Sequence, residues 1–403
     1  MADIVAGTRW FCRNSGISPC PTWSNAEIKL SRFKYFFVDR VFLPSFQSIY
    51  QVSLTLILAT CAALLAQWLR MPIPWMLGPL LCTAALSVCG APMKSSGHLR
   101  NVGQWVIACA LGLYFTAEVG QLVLSLWWAI LLSIVWALAI GLGFGLWLQR
   151  QNAQDMPELS AAQMRATSYF AGAIGGASEM AIMADRHSAR TDLVAASHSM
   201  RLVLVVLCLP FGMQWFQSHW GLHVDSNLLP GPKVVQWLGI IYLAMATSVG
   251  AFFMMVIKRN NPWFMGPLVV TMGLTLMGVQ WTAIPAEMSG MAQLFIGVSL
   301  GVRFQRQFIQ TAPKWLFTVT IGTVGMMLLS GVFGWILAWG TGLHPATMIL
   351  GTSPGGIAEM AITAKVLDLG APIVTAFQVC RLIAVLLIVA PLYRWVAAED
   401  KNQ

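Results

Sequence analysis

Two glutamates, each preceded by a pair of glycines, are the residues of this sequence best placed to do chemistry. Residues 175–182 read GGASEMAI, and residues 355–362 read GGIAEMAI, an offset of 359 − 179 = 180 positions. An arginine follows each glutamate 22 residues later (201 − 179 and 381 − 359) within an apolar run. A charged side chain in such surroundings is costly unless it has a function or a partner. We therefore treat Glu179, Glu359, Arg201 and Arg381 as candidate functional residues.

The two acids allow two interpretations that the sequence leaves open. As functional groups, Glu179 and Glu359 bind a cation, carry a coupling proton or contact a substrate. As structural groups, they form buried ion pairs with Arg201 and Arg381 and hold the fold together. Both interpretations place each glutamate near its arginine. They differ in whether the pair lines a water-filled cavity.

The residues before the second glutamate have the composition of a helix start. Ser353 is a predicted cap, Pro354 suits the first turn, and glycines let a ligand approach the backbone. Free N–H groups at such an end attract anions. Residues 172–176 lack the Ser-Pro, so the first copy is predicted to bind anions more weakly. The candidate substrate- or ion-binding residues are Gly175, Gly176, Ser178, Glu179, Ser353, Gly355, Gly356, Glu359, Arg201 and Arg381.

The elements that must position these residues are membrane helices. The chain has 403 residues, of which 57% are hydrophobic and 10% charged, against about 25% charged in a soluble domain. Apolar runs such as 123–148, 234–257 and 316–339 reach the ~20 residues that a helix needs to cross a bilayer. The runs are continuously apolar and do not alternate as barrel strands do. The fold class predicted is an all-α membrane protein.

The remaining composition excludes several other classes. The net charge of +9 is typical of basic cytoplasmic loops, and no basic stripe lies on a soluble segment, so we expect no direct nucleic-acid binding. None of the eight cysteines forms a Cys-x-x-Cys pair, and the six histidines form no convincing cluster. We therefore predict no cofactor, no metal site and no catalytic residue, and expect that the protein is not an enzyme.

The duplication extends beyond the glutamates. Residues 74–80 (PWMLGPL) match residues 262–268 (PWFMGPL), and the pattern Gln-x7-Gly-x2-Phe that begins at Gln104 recurs at Gln293, an offset of 189. The predicted organisation is a basic N-terminal cytoplasmic extension (1–47), membrane repeat 1 (48–215), a linker (216–233), membrane repeat 2 (234–396) and a C-terminal tail (397–403).

Each repeat is predicted to hold five spans and one re-entrant or broken Gly-Gly-x-x-Glu helix, giving about ten transmembrane helices. The predicted helices are 48–69, 75–90, 101–117, 122–149 and 193–216, then 234–257, 263–280, 288–303, 315–340 and 371–396. Five spans per repeat place the N-terminal tail, Lys94, Arg100 and the bases at 258–259 and 303–314 on one side, as the positive-inside rule requires. An odd number of spans also inverts the second repeat, as in many secondary transporters.

The paired Gly-Gly elements, Thr352-Ser353-Pro354, the downstream arginines and the repeated Gly-Pro helix starts resemble the AbrB family of bacterial membrane proteins. That family has an internally duplicated membrane domain and is distinct from the soluble sporulation regulator of the same name. The resemblance covers residues 48–396 and implies a multi-pass inner-membrane protein. Members are labelled as transporters, as regulators of gene expression and as ammonia monooxygenase. This chain departs in its N-terminal extension and in Ala173-Ile174, where the family pattern has Ser-Pro.

We expect a secondary transporter of a small molecule, with an anion as one candidate, in which Arg201 and Arg381 orient the acids or neutralise the substrate. The alternative is a membrane-embedded sensor that acts indirectly on gene expression; an ammonia monooxygenase-like enzyme is the third and lacks metal ligands. The expected partners are the lipid bilayer and a small molecule or ion, and a homo-oligomer is compatible with the sequence. The expected location is the bacterial inner membrane with both termini cytoplasmic.

Overall fold

The computed structural model describes residues 46–220, 234–257, 261–304 and 312–399, and these form fifteen α-helices. The chain divides into two units, Met1–Tyr50 and Gln51–Gln403. The described residues of the first unit, 46–50, form the N-terminal end of the first helix. Almost all of the predicted N-terminal extension and most of the predicted linker lie outside the described residues. The helix that precedes the linker continues to Trp220, and the last helix continues to Glu399.

The helices follow one another in an order that is similar in the two halves of the chain. They are α1 (Phe46–Trp68), α2 (Pro74–Val88), α3 (Gly97–Gly112), α4 (Ala117–Ser125), α5 (Trp127–Asn152), α6 (Ala161–Gly172), α7 (Ala177–Arg186), α8 (Thr191–Trp220), α9 (Trp237–Val256), α10 (Pro262–Leu276), α11 (Ala286–Gly301), α12 (Pro313–Thr341), α13 (Pro345–Thr352), α14 (Ile357–Val366) and α15 (Ala371–Glu399).

Six of the described helices, α1, α5, α8, α9, α12 and α15, are long and apolar enough to cross a membrane. Their outward side chains are apolar and exposed, such as Val249 at 69% and Trp339 at 79%, which is the surface that hydrocarbon accepts and water does not. Helices α2 and α10 have 15 residues each, a length of about 22 Å against a hydrocarbon core of about 30 Å. The count of ten spans, which includes these short helices, stays a prediction.

Helices α2 and α10 begin in the same way. Each N-cap residue, Ile73 or Asn261, has a left-handed backbone, and each first helical residue is a proline. Proline is suited to this position because its missing N–H has no partner within the helix. The two starts lie within one residue of the predicted ones.

The predicted C-terminal end of the third helix, 101–117, is wrong. Helix α3 ends at Gly112, and α4 begins after Thr116, whose side chain accepts a hydrogen bond from the backbone N–H of Val119. The axes of α3 and α4 differ by 88°. The first residues of the fourth predicted helix, 122–149, therefore belong to α4, and α5 begins only at Trp127.

Bundle A consists of α1, α2, α3, α9, α10 and α11. Helix α2 packs against α11, and α3 packs against α10, so the two halves of the chain interlock. Glycines allow this close approach: a Cβ on Gly112 would meet Thr271 of α10, and one on Gly301 would overlap Thr83 of α2. Small residues at helix contacts are typical of membrane bundles, where tight packing replaces the hydrophobic effect between helices.

Bundle B consists of α5–α8 and α12–α15 and carries both Gly-Gly segments. A shared apolar core joins its two halves, and the buried Trp315 indole donates to Ser197 Oγ at 2.8 Å. The Tyr169 hydroxyl donates to the carbonyl of Val389 at 2.8 Å. Bundle B meets bundle A along a smaller surface, chiefly where α14 and α15 lie against α3. The candidate site lies at this junction.

Candidate substrate-binding site

Both Gly-Gly segments interrupt a pair of short helices. Helix α6 ends at Gly172 and α7 begins at Ala177, and α13 ends at Thr352 and α14 begins at Ile357. The N-caps are Gly176 and Gly356, both extended, and neither helix start has a side-chain cap. The free backbone N–H groups of α7 and α14 therefore give each break a partial positive charge.

The prediction that Ser353 caps the second helix start is wrong. Ser353 is the C-cap of α13, and its hydroxyl donates to the carbonyl of Leu350 at 2.9 Å. Pro354 favours an extended conformation at the preceding residue, which suits the end of α13 at Thr352. Helix α14 then starts only after Gly356, and Pro354 lies in the break itself.

Each glutamate side chain folds back over the glycine that caps its own helix. A Cβ on Gly176 would overlap Oε2 of Glu179, and a Cβ on Gly356 would overlap Oε2 of Glu359. Both glycines have negative φ, −68° and −80°, which any residue adopts. Glycine therefore leaves space for the carboxylate at the helix N-terminus, and a Cβ there would displace the carboxylate. The side chain of Ser178 lies outside the described part of the structure.

The two arginines do not pair with the glutamates, contrary to the expected Glu–Arg proximity. Arg201 donates to the carbonyl of Ala173 at 3.0 Å, and Arg381 donates to the carbonyls of Ser353 and of Gly355, the latter at 3.0 Å. No ion pair joins either arginine to a glutamate among the described residues. The breaks leave carbonyl groups without a helical partner, and a buried unpaired carbonyl is costly. The guanidinium groups satisfy these carbonyls and complement the negative C-terminal ends of α6 and α13.

A further polar side chain completes each arginine site. Arg201 contacts Nδ1 of His198 at 2.7 Å, and His198 Nε2 lies 2.9 Å from the carbonyl of Phe170. Because a guanidinium only donates and a carbonyl only accepts, His198 is neutral with its proton on Nε2. Gln378 does the same in the second half: it accepts from Arg381 and donates to the carbonyl of Leu350.

A cavity of about 280 Å³ lies between the two breaks and bundle A. Gly175, Gly176, Glu179 and Arg201 line it from the first break, and Gly355, Gly356, Glu359 and Arg381 from the second. The structure thus brings these eight predicted residues to one cavity. Ser353, which is 1% exposed, is not among the lining residues.

Bundle A adds cavity residues that the sequence reasoning missed. They are Arg100 and Gln104 of α3, Asn261 before α10, and Ser299 and Arg303 at the end of α11. Arg100 and Gln104 are four residues apart and share one helix face, which is a signal the sequence offered. Arg303 gives no such signal, because only the packing of α11 against α2 and α3 brings it to the cavity.

The cavity carries more positive than negative charge. Four arginines and two glutamates line it, and 4 − 2 gives +2 when both carboxylates are ionised. Arg303 interacts electrostatically with both Arg100 and Glu359. An arginine keeps its proton at neutral pH. The lining is therefore suited to a small anion.

The described part of the chain holds no group of three or more His, Cys, Asp or Glu side chains placed to bind a metal. Neither break has the clustered carboxylates, imidazoles or thiolates that metal sites use.

Comparisons with known proteins match this chain to one family model and to two curated relatives. A family model described as "Transition state regulatory protein AbrB" matches residues 75–397. "Uncharacterized protein YhjN" of Bacillus subtilis (strain 168) is 26% identical over 356 residues, which cover 80% of this chain and 87% of that protein. "Putative regulator AbrB" of Escherichia coli (strain K12) is 22% identical over 330 residues, covering 79% and 88%.

Proposed function

The chain belongs to the AbrB family, and from that premise we propose that it is a secondary transporter of a small organic or inorganic anion. The observation that carries the proposal is the cavity between the two helix breaks, where arginines outnumber glutamates. Broken helices that meet at one site near the middle of the membrane are the usual construction of such transporters. The long apolar helices and the family both fit a membrane protein.

The four arginines have different tasks in this proposal. Arg201 and Arg381 are occupied by the carbonyl groups of the breaks and hold them in shape. Arg100 and Arg303 form no ion pair with another described residue, and the buried Nε of Arg100 has no hydrogen-bond partner. These two guanidinium groups are therefore the ones available to bind an anionic substrate, since a planar guanidinium matches carboxylate and phosphate geometry.

Glu179 and Glu359 are assigned to coupling. Each carboxylate lies at the N-terminus of its own short helix and also lines the cavity. A proton accepted by either acid removes a negative charge next to the substrate and strengthens binding of an anion. Substrate and proton then favour each other, as symport requires.

The proposal includes the finer topology. Two inverted repeats, 48–215 and 234–396, would put the breaks on opposite sides of the same cavity. The proposed location is the inner membrane, and the charge bias of the loops supports cytoplasmic termini. The pairing of α2 with α11 and of α3 with α10 supports it, because helices related by a two-fold axis exchange partners in this way.

Uptake into proteoliposomes tests the proposed function. Purified full-length protein is screened with labelled carboxylates, phosphate and sulfate, with an acidic outside solution. Glu179→Gln and Glu359→Gln are expected to abolish proton-driven uptake, and Arg100→Gln or Arg303→Gln to weaken substrate binding about 10-fold or more, since a hydrogen bond to a charged group contributes about 1.5–3 kcal/mol.

Exposed residues outside the cavity supply matched controls. Glu118→Gln is the control for the acids, because Glu118 lies in the first turn of α4 and is not a cavity residue. Arg150→Gln is the control for the arginines, because Arg150 is exposed near the end of α5. Uptake that survives both glutamine substitutions would exclude the coupling role of the acids.

A membrane sensor is the second candidate, and the name of the Escherichia coli relative, which describes a regulator, favours it. In that case the same cavity binds the ligand, and occupancy changes the contact between bundles A and B without net transport. Tight binding of an anion with no uptake by any variant would support the sensor over the transporter.

A further inference from the structure

Three charged or polar positions around the junction of the bundles correspond between the two halves of the chain. At the 180-residue offset, Asp185 corresponds to Lys365. The alignment holds locally because Ser188 and Asp368, also 180 apart, both have a left-handed backbone, with φ of 55° and 52°. At the 189-residue offset of the preceding helices, two further positions correspond: Arg100 with Ser289, and Tyr114 with Arg303.

On one side of the molecule these positions are in contact. Lys365 at the end of α14 donates to the hydroxyl of Ser289 at 3.3 Å. Its ammonium group also lies 5.9 Å from the centre of the Tyr114 ring, within cation–π range. Helix α14 lies against α3 there. The contact joins bundle B to bundle A and closes the junction on this side.

On the other side the corresponding positions are apart. Arg100 and Arg303 line the cavity, while Asp185 at the end of α7 is exposed and forms no ion pair with a described residue. Equivalent residues of α7 and α14 also differ in exposure: Ile182 of α7 is 54% exposed, and its counterpart Ile362 of α14 is 0% exposed. The cavity includes Asn261 but not its counterpart Ile73, which is fully buried. The junction is therefore open on the Arg100 side.

We propose that Asp185 is a gate residue that inserts between Arg100 and Arg303 in a second state of the protein, in which the Lys365 contact is broken. The inference rests on the proposed function, because a transporter with two inverted repeats reaches its opposite state when the halves exchange conformations. In that exchange α7 takes the buried position that α14 has now. The Asp185 carboxylate would then accept charge-assisted hydrogen bonds from both guanidinium groups, and such bonds are stronger than those between neutral groups.

The proposal gives Arg100 and Arg303 two alternating anionic partners. In the present state they face the cavity, where the substrate binds, and in the second state they bind Asp185 and close that side. Substrate and Asp185 then compete for the same guanidinium groups, so a bound anion delays closure until it moves deeper toward the breaks.

Cross-linking tests the gate without measuring uptake. The full-length protein is prepared in lipid vesicles with its eight native cysteines replaced by serine, and three cysteine pairs are treated with a short bis-maleimide. The gate pair is Asp185→Cys with Arg303→Cys, and the opposite pair is Lys365→Cys with Ser289→Cys. The control pair is Asp155→Cys with Lys314→Cys, because those side chains lie 2.7 Å apart within bundle B in this state.

All three pairs are expected to cross-link, the gate pair more slowly than the control. The three pairs are then combined in one protein with six cysteines, in which the opposite pair is linked first. Linking of the gate pair should then be at least about tenfold slower, while linking of the control pair is unchanged. Two results would overturn the proposal. One is a gate pair that never links although the control pair does. The other is a gate pair that links at the same rate whether or not the opposite pair has been linked first.

Hydrogen exchange supplies a second measurement on variants that keep the native cysteines. Asp185→Lys puts a third positive charge beside Arg100 and Arg303 and keeps that side open, so α14 stays buried against α3. Amide exchange in α14 is then expected to slow about fivefold or more, and adding Arg303→Asp to restore opposite charges should reverse the effect. Unchanged exchange in both variants contradicts the gate. Loss of uptake with an intact gate would instead point to the sensor.

Discussion

At the scale of single residues, the Gly-x-x-Glu spacing has a direct physical meaning. The glycine caps a short helix, and the glutamate three positions on returns its carboxylate to that cap. The carboxylate thus neutralises the positive end of its own helix. In the proposed function, an incoming anion finds the partial positive charge of the helix end uncompensated only when the glutamate is protonated or moves away, and this couples anion binding to a proton.

Gly176→Ala and Gly356→Ala test this meaning. Alanine fits the backbone angles of both sites, but its Cβ overlaps the carboxylate, so the side chain is expelled from the helix end. We expect a loss of about 0.3–2 kcal/mol of stability, measured as a lower Tm in detergent, together with reduced uptake.

Gly143→Ala is the matched control for these variants. Gly143 lies within α5, and a Cβ there would have no neighbour within 4 Å. Alanine favours a helix interior by about 0.5–1 kcal/mol, so the Tm should stay the same or rise. If the Tm changes equally in all three alanine variants, the carboxylates at the helix ends do not contribute to stability.

At the scale of helices, the breaks persist because distant arginines satisfy them. Helices α6 and α13 end in the protein interior, where the residues at their ends are buried, and Arg201 of α8 and Arg381 of α15 donate to the terminal carbonyls. The first break lacks proline, with Ile174 in place of Pro354, and still has the same form. The arginine contacts, rather than the Ser-Pro sequence, are common to the two breaks.

Arg381→Gln tests this role of the arginines. The shorter amide cannot reach the carbonyls of both Ser353 and Gly355, so at least one buried acceptor loses its donor, at a cost of about 1–3 kcal/mol. The expected result is a lower midpoint of thermal unfolding and faster amide exchange in α13. Arg394→Gln, at an exposed position of the same helix, should leave both measurements unchanged. Equal effects of the two substitutions would exclude the capping role.

At the scale of the whole molecule, the two halves of the chain do not form separate domains. Each half contributes three helices to bundle A and four to bundle B, and the cavity lies where the two bundles meet. In the proposed transport cycle, movement along this contact changes the cavity. Inverted repeats predict that positions related by the 189-residue offset lie on opposite sides of the membrane.

His98 and Glu287 allow a direct measurement of the inversion. They are 287 − 98 = 189 positions apart, and both are exposed in the first turns of α3 and α11. In a protein without native cysteines, His98→Cys is expected to react with a membrane-impermeant maleimide only after the inner membrane is opened, and Glu287→Cys to react from the periplasmic side. Labelling of both from one side would rule out inverted repeats.

The sequence by itself determined the helical class, the long apolar helices and the family, because these depend on local hydrophobicity and on motifs that a linear pattern preserves. It also identified eight cavity residues, since the Gly-Gly-x-x-Glu motif and its arginine are visible as a duplication. Several outcomes needed the tertiary structure: the break after α3, the place of Ser353, the carbonyl partners of the arginines, and the entry of Arg100 and Arg303 into the cavity. Each depends on which groups from distant helices compete for the same buried partners. That competition is settled by packing in three dimensions, because the arginine–carbonyl contacts at the breaks join residues 26 to 28 positions apart.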